Sequence, residues 1–227
     1  MSNIIGNLDW SILTDVLLRI VPALLCITIH ELSHGYVAYR LGDGTAKRMG
    51  RLTLNPLRHI DVVGLLMMAV FRFGWAKPVT VDKRNFENPK RGMALTAVAG
   101  PVSNFLLASI LLAVYGFVYA LTLNNTGAGW RTGTELLINA AWLSVALGVF
   151  NLIPIPPLDG AKVLFSFLSD ELYEKLLRVE RFGMIILMLI IWSGQLSNTL
   201  ANATSWVFDK LFSISEAVYK LILPVVR

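Results

Sequence analysis

Four long apolar stretches, divided by polar and basic segments, set the pattern of this chain. They cover about residues 11–39, 93–121, 136–154 and 182–192. A helix needs about 20 apolar residues to cross a bilayer. The first three stretches meet that length. The fourth meets it only by continuing past Ser193 and Gly194. A further apolar run, about residues 62–73, is too short to cross and reads as a re-entrant or interfacial piece. Residues 51–54 alternate in polarity before Asn55 and Pro56 break the pattern, and residues 78–81 form a second short strand candidate. A small β element near the cytoplasmic face is therefore expected. Residues 197–227 mix apolar and polar positions and read as one or two amphipathic helices at the interface. The expected fold is an all-α membrane bundle of about four transmembrane helices, with re-entrant or interfacial segments and that β element. It forms a single polytopic domain over residues 1–227, with its core at 12–192. No internal repeat or low-complexity tract is present.

Composition agrees with that pattern. Of 227 residues, 55% are hydrophobic and 15% charged, where a soluble domain carries about a quarter charged. The net charge is +5, and its distribution argues for membrane orientation rather than nucleic-acid binding. Arg40 to Arg91 carries 11 Lys and Arg between the first two stretches, and Lys162 to Arg181 carries 4 between the last two. That is 15 of the 20 in the chain. Basic residues gather in cytoplasmic loops, so both loops are expected there, with the N-terminus outside. Residues 1–10 lack the basic region of a cleavable signal peptide, so the first stretch reads as a retained span. Cys26 is the single cysteine. That excludes an intramolecular disulfide and a CxxC metal site. It lies one turn before His30 and reads as a small buried hydrophobe.

Within the first stretch stands His30-Glu31-Leu32-Ser33-His34, an HExxH motif that uses two of the chain's three histidines. On a helix, positions i and i+4 share a face, so both imidazoles can hold one metal ion. The glutamate between them can then act on a metal-bound water. Counting about 1.5 Å per residue from the anchor Arg40, His34 and His30 lie roughly 9 and 15 Å below it. Ionisable groups at such depth are costly and mark function. A catalytic zinc site needs a third protein ligand and one open position. His59, Asp43 and Asp61 are candidates, but each sits in a loop with an ordinary alternative role. Asp159 is favoured. It follows the third stretch in Asn151-Leu152-Ile153-Pro154-Ile155-Pro156-Pro157-Leu158-Asp159-Gly160, where three prolines in four residues end the helix. Backbone freed at membrane depth must line a cavity or be satisfied by protein. Asn151 is placed to donate to a substrate carbonyl or developing oxyanion.

These segments together resemble the site-2 protease family of intramembrane zinc metalloproteases, in a minimal form without the PDZ or CBS domains of some members. Ala99-Gly100-Pro101-Val102-Ser103-Asn104, residues 50–61 and residues 74–79 also resemble motifs of that family. The resemblance implies one catalytic zinc ion bound by His30, His34 and Asp159, with Glu31 as general base and Asn151 supporting the oxyanion. It implies close helix packing at Gly100, Pro101, Ser103 and Asn104, with Asn104 backing the metal ligands. Its substrate would be a transmembrane protein segment, unwound and paired along the β element. The expected partners are that substrate and the lipid bilayer, with no nucleic acid and with homo-oligomerisation left open. The expected location is the cytoplasmic membrane. The alternatives are a membrane metal transporter and a catalytically inactive scaffold.

Overall fold

The computed structural model describes residues 10–61, 64, 76–122, 127–179 and 182–226. The expected re-entrant piece at 62–73 falls outside these residues except for Gly64. Four helices form the frame: α1 (Trp10–Arg40), α3 (Pro89–Thr122), α4 (Ala128–Asn151) and α8 (Ser197–Val226). Shorter helices are α2 (Thr45–Arg48), α5 (Asp159–Ser166), α6 (Asp170–Val179) and α7 (Gly183–Trp192).

Portions of α1, α3 and α4 are long and apolar enough to cross a membrane: Ile20–Arg40, Pro89–Thr122 and Gly129–Asn151. A fourth crossing exists if α7 and α8, bent by 92° at a short break, count as one span. The ten residues of α7 are almost wholly apolar but too short to cross alone. The chain is therefore a multi-pass, helical membrane protein.

α3 is the central helix. Its start is fixed by Pro89 in the first turn and by Asn88, whose side chain accepts the Arg91 N–H at 3.0 Å. Gly92, Thr96, Gly100, Asn104, Ala108, Leu112, Gly116 and Ala120 are all buried. They recur every fourth residue, which forms one row along a helix. Most are small, and small residues let helix backbones approach where no solvent drives them together. The inner half of this row faces α1 and the site. The outer half faces α4 and α8 through a core of Ala108, Leu112, Ala141, Val145 and Phe208.

The tail is one 30-residue helix, α8, within the one or two expected, and it packs along α3. Phe208 joins Ala108 and Leu112, Ser215 meets Gly116, and the Tyr219 ring lies 5.8 Å from that of Tyr119. The two helices thus run parallel. A Cβ on Gly116 would fall 2.3 Å from the Ser215 carbonyl oxygen, so glycine sets this approach. The polar residues Asp209, Lys210, Glu216 and Lys220 face outward.

The expected β element does not form among the described residues. Only an isolated antiparallel bridge joins Ile60 and Ala76, with Lys77 N–H donating to the His59 carbonyl at 2.9 Å. Local side chains take the backbone groups a ladder would need. Thr53 Oγ1 accepts from Asn55 N–H, and Asn55 Oδ1 accepts from Leu57 N–H. Residues 78–81 have no regular secondary structure, and the Val79 N–H goes to the Glu31 carboxylate instead of a neighbouring strand.

Candidate metal centre

α1 brings His30 and His34 to one face, and both are buried. Asp159 reaches them from the first residue of α5, also buried. The helix α4 stops at Asn151 because the prolines that follow cannot continue it. The chain then turns sharply enough that a Cβ on Gly160 would fall 2.1 Å from the Leu152 carbonyl oxygen. That close return sets Asp159 against α1.

Three ligand atoms converge. Asp159 Oδ2 lies 3.2 Å from His30 Nε2 and 3.1 Å from His34 Nε2, and the two nitrogens are 3.0 Å apart. A tetrahedral zinc at about 2.0–2.1 Å from each ligand would hold them about 3.3 Å apart, so the triangle is near the required size. Oδ2 has no hydrogen-bond partner although buried. With the protons of both rings on Nδ1, Oδ2 faces only lone pairs, which is costly for a buried carboxylate, and a cation shared with the two imidazoles resolves it. His34 is further committed: its Nδ1 bonds the Thr96 carbonyl at 2.7 Å. With the proton on Nδ1, Nε2 keeps the lone pair that a metal takes. No other group of three His, Cys, Asp or Glu with such convergence occurs among the described residues.

α3 presses against this face. A Cβ on Gly100 would lie 2.5 Å from His30 Cε1 and from His34 Cε1 and Nε2. Asn104, fully buried, lies with Nδ2 3.2 Å from His30 Nδ1.

The site opens into a cavity of about 480 Å³. Glu31 and Asn151 line it with His30, His34, Asp159, Thr96 and residues 78–81. Glu31 Oε2 accepts the Val79 N–H at 2.9 Å, so this segment orients its carboxylate. One N–H of Asn151 donates to the Leu147 carbonyl at 3.0 Å; its carboxamide has a second N–H. Lys162 also lines the cavity, with Nζ 3.7 Å from Asp159 Oδ1, the oxygen turned away from the histidines.

The other ligand candidates lie elsewhere. His59 bonds the Thr53 carbonyl at 3.0 Å and organises its loop. Asp61 accepts the Gly64 N–H. Asp43 ties the end of α1 to residues 82–85 through Asp82 N–H and Asn85 Nδ2. Cys26 is buried and points Sγ at the Ala140 carbonyl. Thr96, the Val79 N–H and Lys162 were not reached from sequence. Lys162 alone carried a signal, since it stands three residues after Asp159 on the same helix face. The other two act through backbone atoms.

Comparison with known proteins decides the family. The profile of peptidase family M50 matches residues 121–193. YwhC of Bacillus subtilis is 34% identical over 210 residues, spanning 90% of this chain and 93% of that protein. This chain belongs to peptidase family M50, the site-2 proteases. Rip2 of Mycobacterium tuberculosis strain H37Rv is 28% identical over 190 residues, 82% of this chain and 71% of its own. MJ0392 of Methanocaldococcus jannaschii is 27% identical over 166 residues, 73% of this chain and 37% of its own. All three are named as zinc metalloproteases, the first two provisionally. No solved structure matches. The M50 member described here is thus a zinc metallopeptidase, and its cofactor is Zn²⁺.

Proposed function

We propose that this M50 peptidase cleaves peptide bonds within or near transmembrane segments of other membrane proteins, with His30, His34 and Asp159 as its zinc ligands. The carrying observation is that Asp159 of α5 meets His30 and His34 of a membrane-length helix, in a cavity that Glu31 also lines. A zinc ion bound there supplies Lewis acidity, polarising the substrate carbonyl and bringing the pKa of water towards 7. Glu31 takes the proton of the attacking water and later passes it to the leaving nitrogen. The Val79 N–H holds Glu31 in position without consuming its second oxygen. Asn151 turns an N–H to the carbonyl oxygen as negative charge develops there. The substrate helix unwinds locally to expose its scissile bond, and residues 78–81 flank the cavity where it would lie. The basic loops orient the chain in the cytoplasmic membrane with the N-terminus outside. Water then reaches the ligands from the cytoplasmic side.

Glu31→Gln tests this reading. The variant should keep stoichiometric zinc and lose about 100-fold or more in hydrolysis of a membrane-embedded substrate reconstituted with it. Asp159→Ala should lose zinc. Cleavage by Glu31→Gln at the parent rate would end the base assignment, and unchanged zinc in Asp159→Ala the ligand assignment. Zinc flux into proteoliposomes without proteolysis would favour a transporter.

A further inference from the structure

His30 and His34 both aim Nε2 at Asp159, so an imidazole offering that lone pair to a metal keeps its proton on Nδ1. His34 has an acceptor for the proton, the Thr96 carbonyl at 2.7 Å. His30 Nδ1 instead faces Asn104 Nδ2 at 3.2 Å, and an amide N–H cannot accept a proton. On the other arm of the same carboxamide, Asn104 Oδ1 is buried and has no partner. With the proton on His30 Nδ1, three groups are unsatisfied: the two opposed N–H groups and Oδ1. A half-turn about Cβ–Cγ sets Oδ1 against Nδ1–H and leaves only Nδ2 unpaired. Carboxamide oxygen and nitrogen are nearly the same size, so the turn needs no repacking.

We infer that Asn104 is the acceptor that fixes the metal-binding tautomer of His30, through Oδ1 and the Nδ1 proton. It is a positioning residue, acting through His30 and not on substrate. This rests on His30, His34 and Asp159 being the zinc ligands. Asn104 has a firm base for the role, because Ser144 Oγ from α4 donates to its backbone carbonyl at 2.8 Å. Gly100, one turn earlier on α3, brings the helix close enough for the carboxamide to reach the ring. The two ligand histidines are therefore oriented differently. His34 relies on a main-chain oxygen that no substitution removes, and His30 on a side chain that one can.

The test uses the full chain, zinc-loaded, in detergent, with ¹⁵N-labelled histidine. Only three histidines need resolving. His30 should show Nδ1 protonated and Nε2 shifted by the metal. Asn104→Asp keeps an acceptor and should retain both that signature and the parent zinc affinity. Asn104→Leu has similar size and no acceptor. Its zinc affinity, read by chelator competition, should fall about 10–100-fold. An unprotonated His30 Nδ1 in the zinc-loaded parent overturns the proposal, whether or not the Leu variant folds. So does an Asn104→Leu protein that binds zinc as tightly as the parent. His30→Ala separates the two levels: unchanged zinc affinity there removes the ligand assignment itself, whereas lost affinity there with an unaffected Asn104→Leu removes only the role of Asn104.

Discussion

Gly100 approaches His34 so closely that a methyl group on it would lie 2.5 Å from both Cε1 and Nε2 of the ring. The backbone of α3 is in effect the wall against which both imidazole rings rest. Gly100→Ala should improve the helix itself by up to about 1 kcal/mol while displacing the rings. Overpacking costs about 1–3 kcal/mol, and every 1.4 kcal/mol is about tenfold in affinity. Zinc affinity, read by chelator competition on the folded variant, should fall about 10–100-fold. Equal zinc affinity in the two proteins would show that the rings are not held by this contact.

Glu31 depends on a donor 48 residues away, the Val79 N–H. Val79→Pro deletes that donor, and Val79→Ile keeps it. A hydrogen bond to a charged group is worth about 1.5–3 kcal/mol. The Pro variant should lose about 10–100-fold in kcat with full zinc content, and the Ile variant should match the parent. A Pro variant with undiminished kcat would mean that Glu31 needs no such support.

The parts of this site that could be read from sequence are those encoded by spacing within one element. His30, Glu31 and His34 share a helix, and the prolines after Asn151 announce a break in which Asp159 stands out among apolar neighbours. The structure brings the ligand atoms of His30, His34 and Asp159 within hydrogen-bond distance of one another. What spacing could not reveal were contacts made by backbone atoms of distant segments, the Thr96 carbonyl and the Val79 N–H. Alternation at residues 51–54 suggested a strand because it reports a two-faced surface. It could not report that Thr53 and Asn55 would bond their own backbone first. Likewise the polar face of α8 was legible, while the close approach at Gly116 that packs the helix along α3 is visible only in three dimensions.

Asp43 gives the loops beneath the site a defined pH response. Its carboxylate accepts from Thr45 N–H at 3.0 Å, Asp82 N–H at 2.8 Å and Asn85 Nδ2 at 2.7 Å, which ties the end of α1 to the residues before α3. Burial alone would raise its pKa. The donated hydrogen bonds from Thr45, Asp82 and Asn85 outweigh burial and hold it below the usual carboxylate range. Asp82 is held down to about 2, chiefly by the Arg84 guanidinium. For both groups the folded pKa lies below the unfolded one. Their stabilisation is therefore complete above the ordinary carboxylate value of 3.8 and is lost as pH falls from there through the folded values. Asp43 dominates, because Asp82 is solvent-screened. Protection of the Thr45 and Asp82 amides, measured as exchange relative to the unfolded-chain rate at each pH, should therefore fall selectively below about pH 4, before the α3–α4–α8 core responds. Asp43→Asn, which does not titrate, should lack this step. It should also show faster exchange at neutral pH, with about 1–3 kcal/mol lost for each donor left unpaired. Protection at these two amides that stays flat from neutral pH down to about pH 2 would mean that the Asp43 carboxylate does not hold the loop.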